Sequence, residues 1–176
     1  MTTHAATLTL GSPFSPTTTL GPLQNAMQYA KVRSLLTDCK TRGYEFATTT
    51  DEDSLPSKGY FIPPTLISNP PSTSLIMTSE QFGPILPVQP WPDEDDVVRR
   101  TNDTKTGLGA CIWSKDLEVA ERIARRLEVR SVYINSALRP DWRVWFAGQK
   151  ESGIGGERGA RGLLEYCNAQ AVHVYR

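Results

Sequence analysis

The chain is poor in the residues that build metal and disulfide scaffolds. It has two histidines, His4 and His173, and three cysteines, Cys39, Cys111 and Cys167. A structural zinc site takes four ligands from closely spaced Cys and His, and no such spacing occurs, so no metal is expected. An odd, scattered cysteine set gives no disulfide framework and suits a reducing compartment, which points to the cytoplasm. Excess charge is also missing. Lys+Arg and Asp+Glu are both 19 and the formal net charge is zero, so no basic field is available to hold nucleic acid. No apolar run approaches the ~18 residues that would span a bilayer. Met1-Thr2-Thr3-His4 opens no basic-then-apolar leader, so neither membrane nor secretory signal is expected. There is no internal repeat. The 176 residues fit one domain, and a chain of this size can bury about 70% of its unfolded surface.

Local patterning predicts the elements. Residues 1–19, rich in Thr, Ser and Pro, read as an extended arm, with 20–176 as the folded region. Gly21-Pro22 is expected to open a helix with Met27, Val32, Leu35, Leu36 and Cys39 on its apolar face and Gly43 as its stop. Strand signals follow at 44–47, 60–62, 65–67 and 85–88, with Pro63-Pro64 demanding an edge or a bend. The acidic run Asp93-Glu94-Asp95-Asp96 reads as the N-terminus of a helix, where negative charge favours the macrodipole, in preference to a metal site. The apolar run 108–113 predicts a buried strand. Ser114 then caps a helix over 116–127 with Leu117, Ala120, Ile123, Ala124 and Leu127 inward. A strand at 131–135, a long loop 136–156, a helix around Leu163 and Leu164, and a strand at 171–175 complete the order. Strands alternating with helices predict an α/β fold, a layered, mostly parallel sheet with flanking helices.

Ordered motifs carry a family resemblance. Glu80-Gln81-Phe82-Gly83-Pro84 follows Gly59-Tyr60-Phe61-Ile62-Pro63-Pro64-Thr65 and precedes Asn102-Asp103-Thr104, Gly107-Leu108-Gly109-Ala110 and Val132-Tyr133-Ile134-Asn135. Lys150-Glu151-Ser152-Gly153-Ile154-Gly155, with Glu157 and Gly159, closes the series, and Gly11-Ser12-Pro13-Phe14 and Gly21-Pro22-Leu23 stand upstream. In this order the motifs resemble the C-terminal part of the aldehyde dehydrogenase catalytic domain. Each motif alone is weak, whereas their succession from about Leu8 to Tyr175 is specific.

The resemblance implies a chemistry and also what it requires. Family members attack an aldehyde with a thiolate, use a glutamate as general base and pass hydride to NAD held on a Rossmann-type domain. The resemblance assigns all three to sequence upstream of this chain, so no bound cofactor is expected. Cys111 in a buried strand, Cys39 on an apolar helix face and Cys167 near a helix end are expected to be packing residues. The resemblance places ribose and nicotinamide contacts on Glu80 and Phe82. Two roles stay open for them: a turn with Phe82 in the core, or an acid/base carboxylate facing a cleft.

The chain departs from the family between Asn135 and Lys150, where the family reads P-F-G-G-x-K. Trp142, Trp145 and Phe146 offer stacking surface, Arg139, Arg143 and Asn135 offer groups for an anion or a carbonyl, and Gln149 ends the loop. The aromatics equally suit covering exposed core. These features predict a cofactor-independent enzyme for a small apolar carbonyl metabolite. It would perform an isomerisation, cyclisation or condensation in specialised metabolism. Glu80, Lys150 and His173 would be its proton-transfer candidates and Phe82 and the loop its binding surface. The alternatives are a non-catalytic interaction module and a fragment of an NAD-dependent aldehyde dehydrogenase. A homodimer through the C-terminal strand is expected on each reading.

Overall fold

The computed structural model describes residues 1–48, 58–137, 139 and 141–176. The polar stretch from Asp51 to Lys58, which the sequence predicts to be a loop, falls almost wholly outside them. The fold is α/β, with short sheets carrying flanking helices. Contacts divide it into two compact units, Met1–Pro90 and Trp91–Arg176. The sequence predicts one continuous region from 20 onward. The division falls at Pro90-Trp91-Pro92, where two closely spaced prolines interrupt backbone pairing.

In the first unit, residues 1–19 are not a single extended arm. Helix α1 (Thr2–Ala5) is followed by a loop that closes on itself through a Leu10–Leu20 bridge, with the Thr19 hydroxyl accepting from Thr9 N at 2.7 Å. Helix α2 (Ala26–Thr41) starts later than Gly21-Pro22. The Asn25 side chain supplies its cap, accepting from Gln28 N at 2.8 Å, while Leu23 N bonds outward to Tyr60 O. Gly43, at φ +69°, ends it as expected.

Val32, Leu35 and Cys39 form the buried face of α2, but Met27 in the first turn lies outside it, 77% exposed. These residues pack with Ile62, Ile67, Ile76 and Ile85 into one core. The sheet has strand order β1 (Glu45–Phe46), β2 (Thr65–Ser68), β3 (Ile85–Val88). Its β2–β3 ladder is parallel and its β1–β2 ladder antiparallel. Residues 60–62 form no strand, because Pro63-Pro64 bends the chain just before β2. Between β2 and β3 lies the short helix α3 (Leu75–Thr78), which buries Ile76.

The second unit is a β–α–β arrangement with an added hairpin. Helix α4 (Glu94–Asn102) is capped by Asp93, which accepts from Asp96 N at 2.8 Å, so the acidic run does cap a helix. It also forms ion pairs, Glu94 to Arg122 on helix α5 (Leu117–Ala124) and Asp95 to Arg126 just beyond the end of that helix. The cap of α5 is Asp116, not Ser114. Ser114 Oγ instead accepts from Asp116 N at 3.0 Å, one step upstream.

Strands β4 (Gly109–Ile112) and β5 (Ser131–Ile134) pair in parallel. β4 is not buried: its residues alternate, Cys111 is exposed and Trp113 beyond it is 68% exposed. A two-stranded ladder with α5 against it buries at most one side, and successive side chains point to opposite sides. Strands β6 (Phe146–Ala147) and β7 (Gly156–Glu157) form a short antiparallel pair ahead of helix α6 (Gly159–Leu164).

The expected C-terminal strand is absent from the isolated chain. A strand exists by its ladder bonds, and among the described residues 168–176 makes none.

Candidate functional site

The Glu80–Pro84 turn is built by contacts from three directions. Gln28 on α2 donates through Nε2 to the carbonyls of Gln81 at 2.7 Å and Phe82 at 3.3 Å, and Gln81 donates back to Ile76 O. Thr65 N takes Pro84 O at 2.8 Å, fixing the turn to β2. Gly83 lies so near α2 that a Cβ there would stand 2.9 Å from Val32 Cγ2 and 3.3 Å from Leu23 Cδ2. Held this way, Phe82 adopts φ +45°, a conformation that non-glycine residues rarely take. Its ring is 68% exposed, so it is not a core residue, and the Glu80 side chain is likewise exposed. The reading of Phe82 as a core residue is therefore not met, because the turn holds it outward.

The loop candidates divide by what holds them. The Asn135 amide is consumed by one backbone residue: Oδ1 accepts from Ser114 N at 2.9 Å and Nδ2 donates to Ser114 O at 2.8 Å. It joins the ends of β4 and β5 and has little left for a substrate carbonyl. Lys150 Nζ donates to Asn102 O at 2.6 Å and Thr104 O at 3.1 Å and pairs with Glu128 at 2.8 Å. An ammonium has three protons, and three acceptors take them up, so Lys150 is a staple here, not a proton-transfer group. His173 sits in the exposed 168–176 segment. Glu80 is in the first unit while Lys150 and His173 are in the second.

Arg143 grips Asp141 with two side-chain nitrogens, and its backbone N donates to Asp141 Oδ1 at 2.9 Å. That contact holds the Asp141 carboxyl below its ordinary range and raises the guanidinium. Arg143 is therefore already committed to an anion within the chain. Trp142 is 77% exposed, with the Arg143 guanidinium 5.9 Å from its ring centroid. Trp145 is half-buried between Arg161, 3.7 Å from its centroid, and Arg130, 5.6 Å away. Its Nε1 is buried without an acceptor among the described residues. Phe146 carries Arg158 at 5.2 Å. Gln149 is half-buried, and its carbonyl accepts from Ser152 N at 3.1 Å.

Trp145, Phe146 and Arg139 line a cavity of about 310 Å³ that the sequence did not foretell as a unit. Arg130, Tyr133 and Arg158 also line it. These three come from the residue before β5, the middle of β5 and the turn before α6, so no local motif could have gathered them.

Among the described residues no group of three His, Cys, Asp or Glu could hold a metal, and no helix is long and apolar enough to cross a membrane.

Comparison with known proteins agrees with the motif order. The model of the aldehyde dehydrogenase family matches residues 1–172. The chain is 40% identical to aldehyde dehydrogenase LUC3 of Fusarium sp over 159 residues, which is 90% of this chain and 34% of that protein. It is 38% identical to betaine aldehyde dehydrogenase of Bacillus subtilis, over 98% of this chain and 35% of the relative. Among solved structures, an aldehyde dehydrogenase from Bacillus cereus (E194S mutant) superposes with a TM-score of 0.87 at 29% identity, over 94% of this chain and 33% of that one. Betaine aldehyde dehydrogenase from Staphylococcus aureus in complex with NAD+ gives 0.85 at 32% identity, again over 94% and 33%. The chain thus spans about a third of the length of the relatives it matches. With the family model covering nearly every residue, the chain belongs to the aldehyde dehydrogenase family.

Proposed function

We propose that the chain serves as the C-terminal part of an aldehyde dehydrogenase catalytic domain, presenting Glu80 and Phe82 to the reacting end of a nicotinamide cofactor. The observation that carries this reading is the Phe82 turn. A bulky residue in a left-handed conformation costs of order 1–3 kcal/mol, and such strain persists where surrounding contacts over-determine it. Here Gln28, Thr65 and the close approach of Gly83 to α2 do so, and what they hold outward is an aromatic face two residues from a carboxylate.

That pair suits a ribose hydroxyl donating to the carboxylate and a flat ring resting near the phenyl. NAD, when bound, supplies the acceptor for the hydride. The residues of this chain position that end of the cofactor and keep it oriented. The test is a chimera in which this chain replaces the matching third of Bacillus subtilis betaine aldehyde dehydrogenase. The folded chimera is expected to form NADH from betaine aldehyde, with activity reduced by Glu80→Gln and by Phe82→Ala. A folded chimera without NADH formation sinks the reading.

A second reading has its own support. Among the described residues the cavity beside Trp145 is lined by residues between 130 and 158, including Tyr133, Trp145 and Phe146. It suits a cofactor-independent enzyme acting on a small apolar carbonyl metabolite by isomerisation, cyclisation or condensation. Incubating the chain alone with such carbonyls, against a Glu80→Ala control, checks this. Product profiles unchanged by the protein would remove it.

On both readings the chain pairs with a second copy through 171–175. Val172, Val174 and Tyr175 are 78%, 79% and 90% exposed, and their backbone lacks ladder partners among the described residues. A monomeric mass by light scattering at micromolar concentration would refute the pairing.

A further inference from the structure

The geometry points to a binding site for an apolar-bodied oxyanion in the cavity between β5, the β6 strand and the turn before α6. The ligand would carry a carboxylate or phosphate headgroup on an aliphatic or aryl body. This site does not rest on the redox reading, since it is read on the chain alone and without cofactor.

Three arginines, Arg130, Arg139 and Arg158, line a cavity of about 310 Å³ whose other walls include Tyr133, Trp145 and Phe146. That volume is at the lower end of the range of small-ligand pockets. Among the described residues its one lining carboxylate, Asp141, is already taken by Arg143 through two side-chain nitrogens and the backbone N. Among the described residues, Arg130 and Arg139 have no carboxylate partner, and Arg158 meets Glu157 only at 3.5 Å. Arg130 spends one donor, Nε, on Gly148 O at 3.2 Å, leaving its terminal nitrogens. A cavity with more cationic groups than anions is unbalanced when empty, and a planar guanidinium fork matches an oxyanion with two parallel hydrogen bonds.

The aromatics set the body of the ligand. Arg130 and Arg161 lie against the Trp145 ring and Arg158 over Phe146, so ring contacts position these cations and only Arg158 adds a long pair to an acid. Contact with a ring positions a guanidinium without neutralising it. Arg158 also sits at φ +68°, a backbone conformation rare for arginine. The ring surfaces beside the headgroup would meet an apolar chain or ring.

Calorimetric titration of the full chain with octanoate, its neutral isostere octanamide and octyl phosphate tests this. Octanoate should bind about tenfold or more tightly than octanamide, since a charge-assisted pair is worth at least that factor. The advantage should shrink as salt is raised. Arg158→Gln and Arg139→Gln should each weaken octanoate by about tenfold. Arg139 is exposed, so its variant remains informative if Arg158→Gln does not fold. Tighter octyl phosphate assigns the headgroup to phosphate esters, and tighter octanoate to carboxylates. The proposal is overturned if octanamide binds as well as octanoate, if octanoate does not bind at millimolar concentration, or if the folded arginine variants hold octanoate as the unaltered chain does. None of these outcomes touches NADH formation by the chimera, so the two proposals fail separately.

Discussion

Gln28 Nε2 on helix α2 donates to the backbone carbonyl of Gln81 at 2.7 Å, tying the longest helix of the first unit to the turn that exposes Phe82. Gln28→Ala leaves one part-buried and one exposed carbonyl short of a donor, a loss of about 1 kcal/mol. Urea unfolding should show that loss, and the amides of 82 and 83 should exchange faster. An unchanged exchange rate there would mean that Thr65 and Gly83 hold the turn unaided.

Ile76 is fully buried while its neighbour Leu75 is 45% exposed. Ile76→Ala should cost about 2–5 kcal/mol through lost burial and the void left behind. Leu75→Ala should stay within about 0.5–1 kcal/mol. Equal effects of the two substitutions would show that α3 is not seated as described.

The cysteines differ in reach. Cys39 is buried and its thiol is pushed up, first by desolvation and then by the Asp38 charge, whereas Cys111 and Cys167 are exposed. Iodoacetamide followed by mass spectrometry should modify the latter pair in the native protein and Cys39 only after denaturant is added. Rapid native labelling of Cys39 would contradict the core of the first unit.

Arg122 hydrogen-bonds Glu94 and holds its carboxyl below the ordinary carboxylate range. A depressed folded-state pKa adds stability above the unfolded value, and that stability is lost as pH falls through the folded value. Asp141, lowered by Arg143, acts in the same sense. Stability should therefore decline on acidification through and below the usual carboxylate range, and Glu94→Gln should flatten the decline. A Glu94→Gln protein with the same pH profile would show that the pair is too solvated to matter.

The indole N–H of Trp145 is buried without an acceptor among the described residues, a cost of about 1–3 kcal/mol. Trp145→Phe removes that group along with some ring area, and the two effects offset. The expected change in thermal stability is small, far less than for Trp145→Ala, which also strips the support beneath Arg161. Equal losses in both variants would mean that the N–H has an acceptor.

The sequence made visible what depends on local spacing. Val32, Leu35 and Cys39 on α2, Ala120 and Ile123 on α5, the Asp93 cap and the parallel strands at 65–68 and 109–112 follow from periodicity and capping chemistry. Met27 and Leu117 share those periodic faces but stand in first turns, where the helix projects beyond what it packs on, and both are exposed. The fates of Asn135 and Lys150 were hidden because each is consumed by backbone atoms distant in sequence. Arg130 and Arg158 gave no signal, since arginines on different elements share a cavity only after the chain has folded.

The two pegs formed by Asn135 and Lys150 have an evolutionary consequence. Each fixes one end of the intervening segment to backbone lying outside it, so exposed positions such as Trp142 and Val144 can be exchanged while the ends of the segment stay anchored. Selection can rewrite what those positions recognise without renegotiating how the segment is attached.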